Sequence, residues 1–216
     1  MLTGVNAPAS SPRQADVAYA GLRDLIVTLA LPPGAALAED ELMRRLEVGR
    51  TPLREAVKRL EVENLVVVFP RRGTFVSEVH LTDHSLISDV RRQLESHAAR
   101  RAAARATEAD RARLRELAAE IKAHPGGRAA SMRLDTAIHR EIYRCAHNHY
   151  LERDLSHYYN LSLRIWYLFL DRLPEVDHTA EHLPVLQAIL DGDGEAAATH
   201  AAQHVTHFEE SVNAAL

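Results

Sequence analysis

Only one part of this sequence has the residue pattern of β-strands, and its position constrains the fold. Residues 65–69 (LVVVF) are mostly β-branched, residues 70–73 (PRRG) have turn composition, and residues 74–76 (TFV) form a second short strand pattern. Three helical segments precede this hairpin, and no β-rich run follows residue 82. The chain is therefore predicted to be mainly α-helical, with a single hairpin that closes a small N-terminal domain.

The three helices before the hairpin are separated by recognisable stop signals. The first is predicted to begin at Gln14 and to end before residues 31–34 (LPPG), because proline disfavours the helical conformation of its preceding residue. The second is predicted over about 39–46. The third opens at Thr51-Pro52, where the missing proline N–H costs nothing, and runs to about Asn64.

The remainder of the chain is predicted to be an all-α antiparallel bundle of about six helices. Thr82 and Thr107 are candidate N-caps, and helix breaks are predicted at Pro125, Asn148, Pro174 and residues 192–194 (GDG). The predicted organisation is a disordered leader over 1–12, a first domain over 13–80 and a second over 81–216.

Composition excludes several classes of protein. The sequence contains no run of about eighteen apolar residues, which a membrane-spanning helix needs. Its first twelve residues lack the basic start and apolar core of a signal peptide. A single cysteine, Cys145, cannot form an intramolecular disulfide. We therefore expect a cytoplasmic protein without a membrane partner.

The distribution of charge is more informative than the total. The net charge is −4, yet eight of the ten basic residues within 13–80 lie between Arg44 and Arg72. Arg50, Arg54 and Lys58 are spaced four apart, so they share one face of the third helix and its leading turn. This placement suits a helix-turn-helix that reads guanine in the major groove, with flanking basic groups on phosphate. The alternative is a solvated face paired with nearby glutamates.

The chain has 13 histidines, and some have the spacing of metal ligands. Asp135 and His139 are four apart, which places them on one helix face, while His182 and His204 lie in later helices. Together they would suit Zn²⁺, Ni²⁺, Mn²⁺ or Fe²⁺. The pairs 178/182 and 200/204 have the same spacing, so spacing alone does not choose among them. Any one of these histidines could also be a surface residue or a hydrogen-bonded core residue.

The N-terminal part contains three characteristic segments: 31–37 (LPPGAAL), 48–56 (VGRTPLREA) and 73–76 (GTFV). In this order they resemble the winged helix-turn-helix of GntR-family transcriptional regulators. The resemblance implies operator binding as a dimer. Gly49 stands where the family usually has serine, and residues 39–41 (EDE) stand where some relatives carry an arginine. The predicted DNA-binding residues are Arg44, Arg50, Thr51, Arg54, Lys58, Arg71, Arg72 and Gly73.

The C-terminal part contains the segments Arg91-x-x-Leu94-Glu95, Asp135-x-x-x-His139, Glu181-His182 and Ala201-x-x-His204-Val205. On these segments, residues 82–216 resemble the FCD ligand-binding domain of the FadR-like branch of that family. The resemblance implies a divalent metal at the floor of an effector cavity, and the ligands carried over are Asp135, His139, His182 and His204. Zinc is the first expectation, with nickel, manganese and iron as alternatives. It also implies a small carboxylate effector, for which the candidate contacts are Arg91, Arg164 and His200.

The sequence thus predicts a regulator, not an enzyme. It would act as a repressor, bind palindromic operator DNA as a homodimer, and respond to a small organic acid at the metal site. The alternatives are a metal-dependent hydrolase, a di-metal bundle enzyme, and a metal-free dimeric DNA-binding protein. Glu175 and His178 form the only Glu-x-x-His spacing, whereas a di-metal bundle needs two.

Overall fold

The computed structural model describes residues 13–80, 82–124, 126–169 and 179–214. Within these residues it contains nine helices and one two-stranded sheet, which confirms the mainly α prediction. The chain divides into two compact units between Val79 and His80. The predicted leader (1–12), the predicted breaks at Pro125 and Pro174, and Glu175 and His178 lie outside the described residues.

The first unit has three helices followed by a hairpin, in the predicted order. Its elements are α1 (Gln14–Val27), α2 (Glu39–Leu46), α3 (Arg50–Val62), β1 (Val66–Phe69) and β2 (Gly73–Val76). The second helix has its predicted bounds. The third begins at Arg50, one residue before its predicted start, because Gly49 and not Arg50 is its N-cap.

The core of this unit lies where α1 packs against α3. Leu22 and Ile26 of α1 and Leu53 and Leu60 of α3 are completely buried. These apolar side chains recur at helical spacing on the inward faces of both helices. Burial of this face leaves the opposite side of α3 in solvent, and that side carries the basic residues.

The hairpin is joined by a third segment that sequence reasoning missed. The two strands pair antiparallel with Val66 opposite Val76 and Phe69 opposite Gly73. The segment before α2 also bonds to β2, because Gly34 N donates to Val76 O at 3.0 Å and Leu37 N donates to Thr74 O at 2.8 Å. These bonds tie the start of the helix-turn-helix to the hairpin.

The second unit contains six helices among its described residues, as predicted. They are α4 (Asp83–Arg105), α5 (Glu108–Ala123), α6 (Arg128–Cys145), α7 (His149–Phe169), α8 (His182–Asp191) and α9 (Gly194–Ala214). Thr107 caps α5 in a reciprocal capping box with Asp110. Thr82 occupies the N-cap position of α4 but makes no side-chain capping bond. No helix in the described part of the chain is both long and apolar enough to span a membrane.

Helix α4, the longest among the described residues, packs against α6, α7, α8 and α9 and has an unusual buried face. Its C-terminal half buries alanines, which allow close approach of α9. Its N-terminal half instead buries polar side chains at spacings of four, three and four: His84, Ser88, Arg91 and Glu95. This polar stripe leads to the buried histidines of the bundle.

Candidate functional site

Four side chains from three helices converge inside the helical unit. Asp135 and His139 come from α6, His182 from α8 and His204 from α9. Each can offer one ligand atom such that all four atoms lie within 4.8 Å of one another. All four residues are buried, with exposed fractions of 8%, 2%, 1% and 5%. The structure therefore brings together the four residues that the resemblance named.

The contacts inside this cluster centre on the carboxylate. His182 Nε2 lies 2.8 Å from Asp135 Oδ1, and His139 Nε2 lies 3.7 Å from Asp135 Oδ2. The Tyr159 hydroxyl donates to Asp135 Oδ2 at 2.7 Å. Three imidazoles and one carboxylate in a buried position form a donor set suited to a divalent transition metal.

Two further carboxylates orient the histidines from outside the cluster. Glu95 Oε2 lies 3.2 Å from His139 Nδ1, and Glu181 Oε2 lies 3.2 Å from His204 Nδ1. A carboxylate at Nδ1 favours the tautomer with its proton there, which leaves Nε2 as the free electron-pair donor. Metal-ligating histidines are commonly held in this way, so the surroundings as well as the four residues fit a metal site.

The electrostatics of the cluster favour an ionised Asp135 beside neutral His182 and His204. Burial alone would raise the pKa of Asp135, but His139 and His182 outweigh it and hold the pKa well below its usual range. Burial and the neighbouring His204 lower the pKa of His182 to about 4. Burial also lowers the pKa of His204. At neutral pH these are the protonation states that a metal ion requires.

A cavity opens beside the cluster and contains a buried arginine. Its lining residues are Arg91, Asp135, His139, Tyr159, Ser162, Leu163, Trp166, His204 and Phe208. Arg91 donates from Nε to Glu95 Oε1 at 2.8 Å and from Nη1 to Ser162 Oγ at 2.6 Å. The cavity thus presents a fixed cation next to the Asp/His cluster.

The other two candidate effector contacts lie elsewhere in the structure. Arg164 on α7 is buried but is not among the lining residues of this cavity. His200 lies one turn before His204, outside that lining, with Nδ1 3.3 Å from Gln203 Oε1. Of the three predicted effector contacts, Arg91 alone is in the described lining.

Sequence reasoning missed the carboxylates that hold the histidines. Glu95 lies one turn after Arg91 and directly bonds to it, which neutralises the buried guanidinium. Burial would raise the pKa of Glu95, but Arg91 and His139 keep it well below its usual range. The signal was present as the Arg91-x-x-Leu94-Glu95 and Glu181-His182 segments, but their residues gave no indication of which histidine each carboxylate contacts.

A second cluster of potential ligands has a different character. Asp110, Glu141 and Cys145 could also approach one ion. However, Arg144 Nη2 bonds to Asp110 Oδ1 at 2.6 Å and to Glu141 Oε1 at 2.5 Å. His147 Nε2 lies 2.7 Å from Asp110 Oδ2. A protein cation already neutralises these carboxylates, so the cluster is a structural ion-pair network.

In the first unit, all eight predicted DNA-binding residues are exposed. Arg50, Thr51, Arg54 and Lys58 lie along α3, Arg44 is in α2, and the remaining three are at the hairpin tip. Arg54 and Arg50 also contact acidic residues of α2. The basic residues of α3 and the hairpin tip are therefore presented to solvent from a packed helical core.

Three helices with an antiparallel hairpin make the N-terminal unit a winged helix-turn-helix, the fold of a large class of DNA-binding regulators. Family models match both parts of the chain. The model for bacterial regulatory proteins of the gntR family matches residues 14–76, and the FCD domain model matches residues 86–207. The chain belongs to the GntR family, in its FadR-like branch with an FCD domain.

Curated relatives include several transcriptional regulators. The HTH-type transcriptional repressor RspR of Escherichia coli K12 is 28% identical over 201 residues, covering 90% of this chain and 86% of RspR. An HTH-type regulator of Streptomyces ambofaciens is 52% identical over 61 residues, which are 28% of this chain and 26% of that protein. One from Agrobacterium vitis is 37% identical over 94 residues, 44% of this chain and 55% of its own length. These two regulators match over part of their lengths only.

Solved structures share the fold over more than nine-tenths of this chain. Escherichia coli McbR/YncC superposes with a TM-score of 0.82 at 21% identity, covering 94% of this chain and 99% of that one. A GntR regulator from Rhodococcus sp. RHA1 gives a TM-score of 0.72 at 22% identity, covering 95% of this chain and 100% of that one. The family is one of transcriptional regulators and not of enzymes.

Proposed function

We propose that this protein is a transcriptional repressor that binds palindromic operator DNA as a homodimer. Its affinity for the operator would be modulated by a small organic acid held at a divalent-metal site in the helical unit. The observation that carries the proposal is the presence, in one chain, of a winged helix-turn-helix and a buried Asp/His₃ cluster beside an arginine-containing cavity. Operator binding would place its action in the cytoplasm.

The DNA-binding part of the proposal is supported by exposed arginines on α3. In a helix-turn-helix the second helix enters the major groove, where arginine can bond bidentately to guanine. Arg50 and Arg54 are exposed there, and Arg71 and Arg72 at the hairpin tip are placed to contact phosphate or the adjacent minor groove. A palindromic site requires two such helices, which a homodimer supplies.

The effector part is supported by the chemistry around the Asp/His cluster. Asp135, His139, His182 and His204 would hold the metal, and a bound divalent cation would supply a coordination position for a carboxylate. Arg91 would be the second anchor for that carboxylate. An effector changes operator affinity only if it binds the DNA-competent and DNA-incompetent states unequally.

The DNA-binding claim is tested with DNA selected by the protein from a randomised duplex library. Arg54→Ala is expected to weaken binding of the selected duplex by about 1–3 kcal/mol, the value of a bidentate arginine–guanine contact. Arg113→Ala is the matched control, because Arg113 is an exposed, ion-paired arginine of the helical unit. Equal affinity of Arg54→Ala and the native protein for that duplex would exclude Arg54 from base recognition.

The effector claim is tested by a thermal-shift screen of small carboxylates with and without a chelator. A ligand that binds the native state raises the melting temperature by mass action. We expect at least one carboxylate to stabilise the metal-loaded protein, and the stabilisation to disappear in chelator and in Arg91→Lys. A carboxylate that stabilises equally with chelator present would separate effector binding from the metal.

A further inference from the structure

The acidic start of α2 lies against the basic face of α3. Glu39 accepts two hydrogen bonds from Arg54, from Nε to Oε1 at 3.1 Å and from Nη2 to Oε2 at 3.2 Å. Arg50 makes a weaker version of the contact, with Nη2 3.3 Å from Asp40 Oδ1 and Nε 3.8 Å from Glu39 Oε2. Glu39 thus forms a two-point fork with one of the arginines proposed to read DNA.

The fork occupies only one edge of the Arg54 guanidinium. Glu39 takes the Nε–Nη2 edge, whereas Nη1 bonds to no side chain in the part of the chain that the structure describes. Guanine recognition needs two parallel N–H groups directed at N7 and O6. The outer Nη1–Nη2 edge provides such a pair, since Nη2 carries a second hydrogen. Glu39 therefore holds the side chain without covering its guanine-reading edge.

The fork also affects how Arg54 can bind DNA that lacks the correct base. Non-specific binding rests on lysine and arginine groups that reach phosphates. The fork fixes the direction in which Arg54 presents its free edge, and the Glu39 carboxylate repels phosphates that approach the pair. Both side chains are partly exposed, with 60% for Arg54 and 41% for Glu39, so the pair is accessible to DNA. Its stability contribution to the free protein is small.

We propose that Glu39 is a specificity-determining residue of the DNA site. It fixes Arg54 by one edge so that the other edge faces a guanine, and its charge opposes binding to DNA without that guanine. The inference rests on the proposed function, because it assumes that Arg54 contacts a base.

The test compares Glu39→Gln with Glu41→Gln. Glu41 lies in the same first turn of α2 and is exposed, but it makes no hydrogen bond or ion pair with a described residue. Each variant removes one negative charge from the same turn, and only the first breaks the fork. The probes are the duplex that the native protein selects from a randomised library, its full set of single-base-pair variants, and a random duplex of equal length.

Glu39→Gln is expected to bind the random duplex more tightly and to lower the ratio of specific to non-specific affinity by about tenfold. Glu39→Gln should lose its discrimination between base pairs at the same position of the duplex as Arg54→Lys. Glu41→Gln should leave that ratio within twofold of the native value. Circular dichroism melting checks that the variants remain folded.

The proposal is overturned if Glu39→Gln keeps the native ratio, or if Glu41→Gln loses as much. It is also overturned if the discrimination lost by Glu39→Gln is spread evenly over the site. Failure of the underlying function has a different signature. In that case the native protein enriches no sequence from the library, or Arg54→Lys discriminates as well as the native protein does.

Discussion

Replacing Glu95 by glutamine tests how the histidine cluster is held. Glu95 is 4% exposed and contacts His139 Nδ1 with one oxygen and Arg91 with the other. Glutamine keeps the shape of the side chain but removes its charge. The substitution therefore weakens the partner of His139 and leaves the buried Arg91 without its counter-charge. Both changes disfavour a cation at the Asp/His cluster.

The expected loss follows from these two contacts. Removing a hydrogen-bond partner behind a metal-ligating histidine typically weakens metal binding by about 10–100-fold. Each tenfold corresponds to about 1.4 kcal/mol, so the range is roughly 1.4–2.8 kcal/mol. We expect the upper half of this range for Glu95→Gln, because the uncompensated Arg91 adds repulsion. Glu181→Gln should lose less, since Glu181 is 27% exposed and its charge is partly screened.

The assay is competition for Zn²⁺ between the protein and a chromogenic chelator. Glu116→Gln serves as the control, because Glu116 is an exposed residue of α5 paired with Arg113. A melting curve of the metal-free proteins confirms that each variant is folded. A folded Glu95→Gln protein whose zinc dissociation constant stays within twofold of the native value would refute the orientation of His139 by Glu95.

Three further predictions concern stability and reactivity. Leu53→Ala, in the core of the first unit, should lower the free energy of unfolding of that unit by about 2–5 kcal/mol in urea. Val62→Ala, at a residue 84% exposed, should change that free energy by under about 0.5 kcal/mol. Similar losses in the two variants would contradict the packing of α1 on α3. Burial opposes ionisation of Asp110, but its bonds to Thr107 and His147 lower its pKa below the usual value. The ionised side chain therefore stabilises the folded state above about pH 4, and this stabilisation is lost as the pH falls below that value. The difference in urea midpoint between the native protein and Asp110→Asn should therefore be smaller at pH 3 than at pH 7. An equal difference at both pH values would contradict stabilisation by ionised Asp110. Burial and the neighbouring Glu141 raise the pKa of the Cys145 thiol to about 12, so iodoacetamide should modify it at pH 8 only after unfolding.

Much of the fold follows from local sequence signals. Helix α2 has the bounds that its sequence predicts, because Leu42, Met43 and Leu46 recur at helical spacing within residues 39–46. The hairpin followed from its β-branched run and turn. The pairing of residues 34–37 with β2 could not be predicted, because residues 34–37 (GAAL) have no strand pattern. The bonds of this segment depend on where the hairpin lies.

The candidate site was predictable in its residues but not in its surroundings. Spacing alone gave equivalent histidine pairs, and the family resemblance was needed to select Asp135, His139, His182 and His204. Arg91 was named as an effector contact, but there is a physical reason why the burial of Arg91 and the role of Glu95 escape sequence reasoning. A helix whose buried face is partly polar has almost no hydrophobic periodicity, so nothing in α4 marks these charges as internal.

The central claim is that the buried cluster of the helical unit holds a divalent metal. The most direct measurement is elemental analysis of protein loaded with Zn²⁺ and then dialysed, for the native chain, His139→Ala and His204→Ala. His149→Ala is the control, because His149 lies at the start of α7 outside the cluster. We predict one ion per chain in the native protein and the control, and a clear loss in the other two. Native protein without metal, or cluster variants that retain a full ion, would contradict the account.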